Sequence, residues 1–210
     1  MAQIHQSSGG HAQTAVPGGI VLRVELIDTT PMVMRRLLMH SDVTLDDLHH
    51  ILQVAMGWHD RHSYEFIVVE QPFRFPDEDD SPLEVKPGQP RRKLLRWGAS
   101  ETDLFRYVYD LGDNWEHRIV IERFEPMEPD YPGWVLGGQY ACPPEDCGGV
   151  GGFRAALGSF REPGSLAARE FLAWAGEGFD PNRFDRHAAN AALSRLAWNR
   201  WIAPPRTRRR

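Results

Sequence analysis

Hydrophobic and polar residues alternate between positions 20 and 28, with Ile20, Leu22, Val24 and Leu26 on one face and Arg23 and Glu25 on the other. A period of two marks a strand with one buried face. Thr29, Thr30 and Pro31 predict a turn, and 33–39 predicts the partner strand of a hairpin or meander. The period then changes. Over 44–56, Leu45, Leu48, Leu52, Ala55 and Met56 gather on one side of a helix at about 100° per residue. Thr44 with Asp47 three residues on reads as a variant capping box, and Gly57 as the stop. His49 falls within the apolar arc, whereas His50 points away beside Asp46 and Gln53.

A further strand is expected over 63–69, followed by an exposed Pro-rich insertion over 76–92, acidic at 77–80 and basic at 91–93. Segments 105–111 and 115–123 alternate well and are joined by Gly112, Asp113 and Asn114, which predicts a β-hairpin. After a crossing rich in Pro and Gly at 126–151, helices are expected over 153–160, 165–175 and 185–201, with Gly176 and Gly178 parting the last two. Strands first and helices later indicate an α+β class. The expected architecture is one domain over 20–203, a largely antiparallel sheet packed against the 44–57 helix and the C-terminal helices. Residues 1–19 read as a disordered leader and 204–210 as a flexible basic tail.

Composition narrows the function classes. The chain has 210 residues, 41% hydrophobic and 25% charged, which is ordinary for a globular protein. No apolar run approaches the ~20 residues that cross a bilayer, and the N-terminus shows no secretory signal, so a cytoplasmic protein without membrane partners is expected. The formal charge is −5, and four positive charges sit in the last five residues, so the rest of the chain carries −9. A body that acidic repels phosphate backbones, which leaves Arg206, Arg208, Arg209 and Arg210 as the one expected route to nucleic acid. Cys142 and Cys147 are the only cysteines, too few for a zinc site of cysteines alone, and in a reducing compartment they stay thiols.

Four stretches are more specific than scaffold: 45–58 with its His49-His50 pair and Gly57-Trp58, Tyr109 to His117, Ala141 to Gly149 around Pro143-Pro144-Glu145-Asp146, and Phe179 to Asp185. In that order and spacing the chain resembles the plasmid pRiA4b ORF-3-like family over roughly 20–196. Segment 31–38 is similar to the family's Pro-x-x-Trp-Arg-Arg-Leu segment, with Met34 in place of the Trp. The resemblance implies a compact α+β domain found on plasmids, mobile elements and bacterial chromosomes. It implies no established activity. The label of transposon resolvase carried by some members lacks support here, because a serine recombinase needs a nucleophilic Ser with clustered arginines, and these arginines are scattered or terminal.

Three groups of residues are candidates for chemistry. On the second hairpin strand, Trp115, His117, Ile119 and Ile121 share a face expected to be buried, and a buried His near Asp110 and Asp113 has the form of an oriented general base or a metal ligand. Turn chemistry explains the same residues: Asp110 and Asp113 accept turn N–H groups, Gly112 supplies the positive φ, and His117 is a satisfied core group. If the hairpin packs on the helix, His49, His62 and His117 converge with Asp110 or Asp113, a set suited to zinc, iron or manganese. His49 otherwise reads as a core histidine bonded to a backbone carbonyl, and His59 as an exposed loop residue. The glycines at 148–152 read as a place of close backbone packing, since Glu145 and Asp146 oppose an anion there. Asp180 and Asp185 read as helix caps, and Asn190 as bonding inward.

The expectation is therefore a binding module for a protein partner or a small molecule, met by Trp58, His62, Asp113 and Trp115. The alternatives are a metal-dependent, hydrolytic enzyme using His62, His117, Asp110 and Asp113 with a divalent cation, and a DNA-associated accessory protein acting through the arginine tail.

Overall fold

The alternation at 20–28 becomes strand β1 (Gly19–Leu26), and the segment after Pro31 becomes β2 (Met34–His40), paired with it in antiparallel register. The computed structural model describes residues 18–41, 43–68, 83–85, 104–127, 133–162 and 164–199. Helix α1 (Leu45–Met56) begins with the full capping box between Thr44 and Asp47 and ends at Gly57 in the left-handed region. Then follow β3 (Tyr64–Val68), β4 (Leu83–Val85), β5 (Leu104–Tyr109), β6 (Trp115–Glu125) and β7 (Gly133–Gln139). Helices α2 (Gly149–Ser159), α3 (Leu166–Ala175) and α4 (Arg186–Trp198) complete the chain. The strands form one antiparallel sheet in the order β4-β3-β5-β6-β1-β2-β7, so the class is α+β.

Three expectations change. Inside the presumed insertion at 76–92, β4 adds an edge strand to β3, and the rest of that segment lies outside the described residues, as do 1–17 and 200–210. Within the crossing at 126–151, β7 pairs with β2 despite glycines at 133, 137 and 138, because backbone pairing supplies what the strand's side chains do not. Helix α2 starts four residues before Phe153, running through the glycines that looked like a loop.

The sheet has two unlike faces. Ile20, Leu22, Val24, Leu26, Leu37, Phe66, Tyr107, Trp115, Ile119 and Val135 form a single apolar core with Leu48, Ile51, Leu52 and Ala55 of α1 and Leu193 and Leu196 of α4. The opposite face carries ion pairs across strands: Arg36 and Arg23 with Glu122, Arg118 with Glu25, and Arg106 with Glu116. Opposite charges on neighbouring strands suit a face that needs no helix over it.

Two polar side chains tie the helices to the sheet. Asn190 of α4 accepts from the Val135 N–H and donates to the Val135 carbonyl, at 2.8 and 3.0 Å, so a side-chain amide closes the open edge of β7 as another strand would. Arg35 points into the core, where its Nε donates to the Ala55 carbonyl in the last turn of α1 and its Nη1 donates to the carbonyls of Met34 and Gln139. Its guanidinium lies 3.9 Å over the Phe184 ring. Burial pulls its pKa down to about 10, so the charge persists at neutral pH without a carboxylate. The end of α1 presents carbonyls that no helical N–H can reach, and Arg35 answers one of them. Arg35→Ala strands buried carbonyls and is expected to cost about 3 kcal/mol in urea unfolding, whereas a loss under about 1 kcal/mol contradicts this role.

Candidate functional site

Three loops meet at the end of the sheet reached by α1: 57–63 after the helix, the β5–β6 turn at 110–114, and 140–148 ahead of α2. The first is fixed by a ring of hydrogen bonds whose proton positions follow from the backbone N–H and the side-chain carboxylate of Asp60. The Asp60 N–H donates to Gln53 Oε1 at 3.0 Å, so the other end of that amide is NH2. That NH2 donates to the Tyr107 hydroxyl at 3.0 Å, and the hydroxyl oxygen lies 2.7 Å from His49 Nδ1. Asp60 Oδ1, which can only accept, lies 2.7 Å from His49 Nε2, so the ring carries its proton there and its bare Nδ1 accepts from the Tyr107 hydroxyl. Burial holds the His49 pKa below its ordinary value, against the pull of Asp60, so the ring is neutral. Tyr64 stacks on it with centroids 3.5 Å apart. His49 thus bonds a carboxylate and a phenol, where a backbone carbonyl was expected.

The second loop is a tight turn. Asp110 Oδ1 accepts the N–H groups of Gly112 and Asp113 at 3.0 and 3.3 Å. The left-handed residues are Asp110 (φ 55°) and Asn114 (φ 54°), so the positive φ expected of Gly112 is carried by its neighbours, whose short polar side chains tolerate it. Asp113 reaches the third loop, where its Oδ2 accepts the Gly148 N–H at 3.2 Å. A Cβ on Gly149 would stand 2.6 Å from the Asp113 carbonyl, so only glycine lets the loop before α2 approach the turn this closely. In the same loop Glu145 accepts from the Tyr109 hydroxyl at 2.5 Å and lies 2.8 Å from His59 Nδ1. Burial opposes its ionisation, yet these hydrogen bonds outweigh it and leave the Glu145 pKa below its usual value. The carbonyl of Pro143 accepts from Trp58 Nε1 at 2.9 Å.

Among the predicted residues, His62 and Asp110 come together and His117 does not join them. His62 Nδ1 lies 3.6 Å from Asp110 Oδ2, and His62 Nε2 lies 3.1 Å from Asp146 Oδ1. That second approach is off-line, so Nε2 has no hydrogen-bond partner among the described residues. One ligand atom from each of His62, Asp110 and Asp146 lies within 4.8 Å of the others. His49, His50 and Asp60 form a comparable group, but the proton on His49 Nε2 occupies the lone pair an ion would need. Trp58 and Trp115 are buried beneath the loops with rings 6.1 Å apart, so they shape the floor of this region. Asp146 and Tyr109 were missed. An acidic residue in a loop rich in Pro and Gly gives no periodic signal, and the partner of a tyrosine hydroxyl depends on tertiary packing.

His117, Cys142 and Cys147 are withdrawn from chemistry. His117 is fully buried on β6, its Nδ1–H donates to the Tyr107 carbonyl at 3.1 Å, and Trp58 meets its ring edge-on. Burial pushes the thiol of Cys147 up to about 12 and that of Cys142 higher still, so neither is a thiolate at neutral pH. Burial also lowers the His117 pKa to about 4 from an ordinary 6.5. A lowered histidine pKa stabilises the fold fully above pH ~6.5, and that contribution fades as pH falls toward ~4. The expected loss is on the order of 3 kcal/mol from this residue across that window. His117→Asn keeps an N–H donor without the titration, so its stability should fall less steeply from pH 7 to pH 4 in urea unfolding. Equal slopes for both proteins would contradict the assignment.

Comparison with known proteins agrees with this fold and names no activity. The sequence profile of plasmid pRiA4b ORF-3-like proteins matches residues 19–188. An uncharacterized protein, y4hQ of Sinorhizobium fredii (strain NBRC 101917 / NGR234), is 36% identical over 173 residues, covering 80% of this chain and 84% of its own. The crystal structure of a protein of unknown function, MM3350 from Methanosarcina mazei Go1, superposes with a TM-score of 0.68 at 26% identity, over 80% of this chain and 95% of that one. Residues 19–188, with the loops that build the His62 cluster among them, make this chain a member of the plasmid pRiA4b ORF-3-like family.

Proposed function

We propose that this protein is a divalent-cation-binding module whose ligands are His62, Asp110 and Asp146. The observation that carries the reading is the cluster itself: one imidazole and two carboxylates whose free ligand atoms face one another where three loops join. Asp110 has one oxygen committed to the turn and the other free, while Asp146 is exposed. Ligand atoms about 2.1 Å from a shared ion lie at most ~4.2 Å apart, and these three lie within 4.8 Å of one another. One nitrogen with carboxylate oxygens suits manganese, iron or zinc better than calcium. An ion held by these three side chains would keep coordination positions for an oxygen of a small-molecule or protein ligand.

Chelator-treated protein titrated with Mn2+ should bind one equivalent by isothermal calorimetry. His62→Ala and Asp146→Asn should each weaken it by about tenfold or more, while His50→Gln leaves it unchanged. Absence of Mn2+ binding, or affinity indifferent to His62→Ala in a folded variant, would refute the reading.

One observation favours a hydrolytic version of the same site. Exposed His59 is oriented through Nδ1 by Glu145, which adjoins Asp146, so its Nε2 faces solvent as a general base toward water. On that reading Mn2+-loaded protein hydrolyses a simple ester such as 4-nitrophenyl acetate, and His59→Gln removes the turnover without changing Mn2+ affinity. Turnover unaffected by His59→Gln counts against it.

A further inference from the structure

Helix α2 has a second feature beyond the loop that carries Asp146 ahead of its start. Its far half, with the residues just past its end, walls a cleft of about 310 Å³ against the β1–β2 turn and the Tyr140 and Pro181 segments. We propose that this cleft binds a small organic carboxylate, with an apolar body inside and the carboxylate on Arg154 and Arg161.

Chemistry inside and at the rim differs. Val33, Phe153, Leu157 and Phe160 supply an apolar interior, with Val33 and Phe153 buried. Arg154 and Arg161 stand at the rim, exposed, with no ion pair or side-chain hydrogen bond to another described residue. On the charged face of the sheet Arg23, Arg36, Arg106, Arg118 and Arg123 are all paired with glutamates. In a chain of net charge −5, two uncompensated guanidinium groups beside one apolar cleft make a local demand for an anion.

The walls are preformed. Thr29 Oγ1 donates to the Leu26 carbonyl and accepts the Val33 N–H, which fixes the β1–β2 turn. The Ala141 N–H donates to the Pro181 carbonyl at 3.0 Å, which joins the two segments opposite. A cleft of this volume holds a compact ligand of one ring or a short chain, and the planar guanidinium fork matches a carboxylate. A phosphate ester offers a related anion, so the test separates the two.

The experiment is an amide NMR titration of the full chain with 4-phenylbutyrate, 4-phenylbutyramide and phenyl phosphate. Phenylbutyrate should shift the Phe153, Leu157 and Phe160 signals saturably at millimolar concentration. The neutral amide should bind at least about tenfold more weakly, and Arg154→Gln/Arg161→Gln should lose a similar factor with the remaining spectrum unchanged. No saturable shift, equal binding of the amide, indifference to the double substitution, or tighter binding of phenyl phosphate would each overturn the proposal.

Discussion

The ring that joins Gln53, Tyr107, His49 and Asp60 is the constraint on which the candidate site depends. It couples α1 to β5 through buried Gln53, His49 and Tyr107, where leaving a donor or acceptor unpaired costs about 1–3 kcal/mol. It also holds Asp60 in the left-handed region at φ 56°, which turns the chain after α1 so that His62 faces the β5–β6 turn. Because the Asp60 carboxylate holds the His49 proton on Nε2, the same network engages both ring nitrogens of His49. His62 keeps its Nε2 without a hydrogen-bond partner among the described residues.

A division of labour along the fold follows. Among the described residues, the charged sheet face is lined by ion pairs and the apolar face is packed against α1 and α4. Binding capacity concentrates in the connections. Helix α2 links the two places proposed for it, with the acidic loop carrying Asp146 at its start and the arginine-rimmed cleft along its far half. The close approach of Gly149 to the Asp113 carbonyl locks the start of that helix to the hairpin turn, so the acidic pole is assembled by backbone packing.

Much of this was legible in the sequence where a period existed to be read. The alternation of β1, the capping box of α1, the hairpin around Asp110 to Asn114 and the buried face of Trp115, His117, Ile119 and Ile121 all appear as expected. Strand β7 did not show, since its glycines erase the side-chain pattern and its identity rests on pairing with β2 and on Asn190. Convergence of His62 with Asp110 was readable as an option from two motifs. Asp146 was not, because its place depends on the Gly148 and Gly149 conformations and on the Asp113 contact across 35 residues of chain. Sheet register, which sets Tyr107 opposite His117, likewise decides that His117 faces a backbone carbonyl and no carboxylate.

The measurement that tests the account most directly is a crystal of the full chain soaked in Mn2+ and measured at the manganese absorption edge. The account predicts one anomalous peak bonded to His62, Asp110 and Asp146, with His49 still between Tyr107 and Asp60. A peak on His49, His50 and Asp60, or no peak at a saturating concentration, would contradict it.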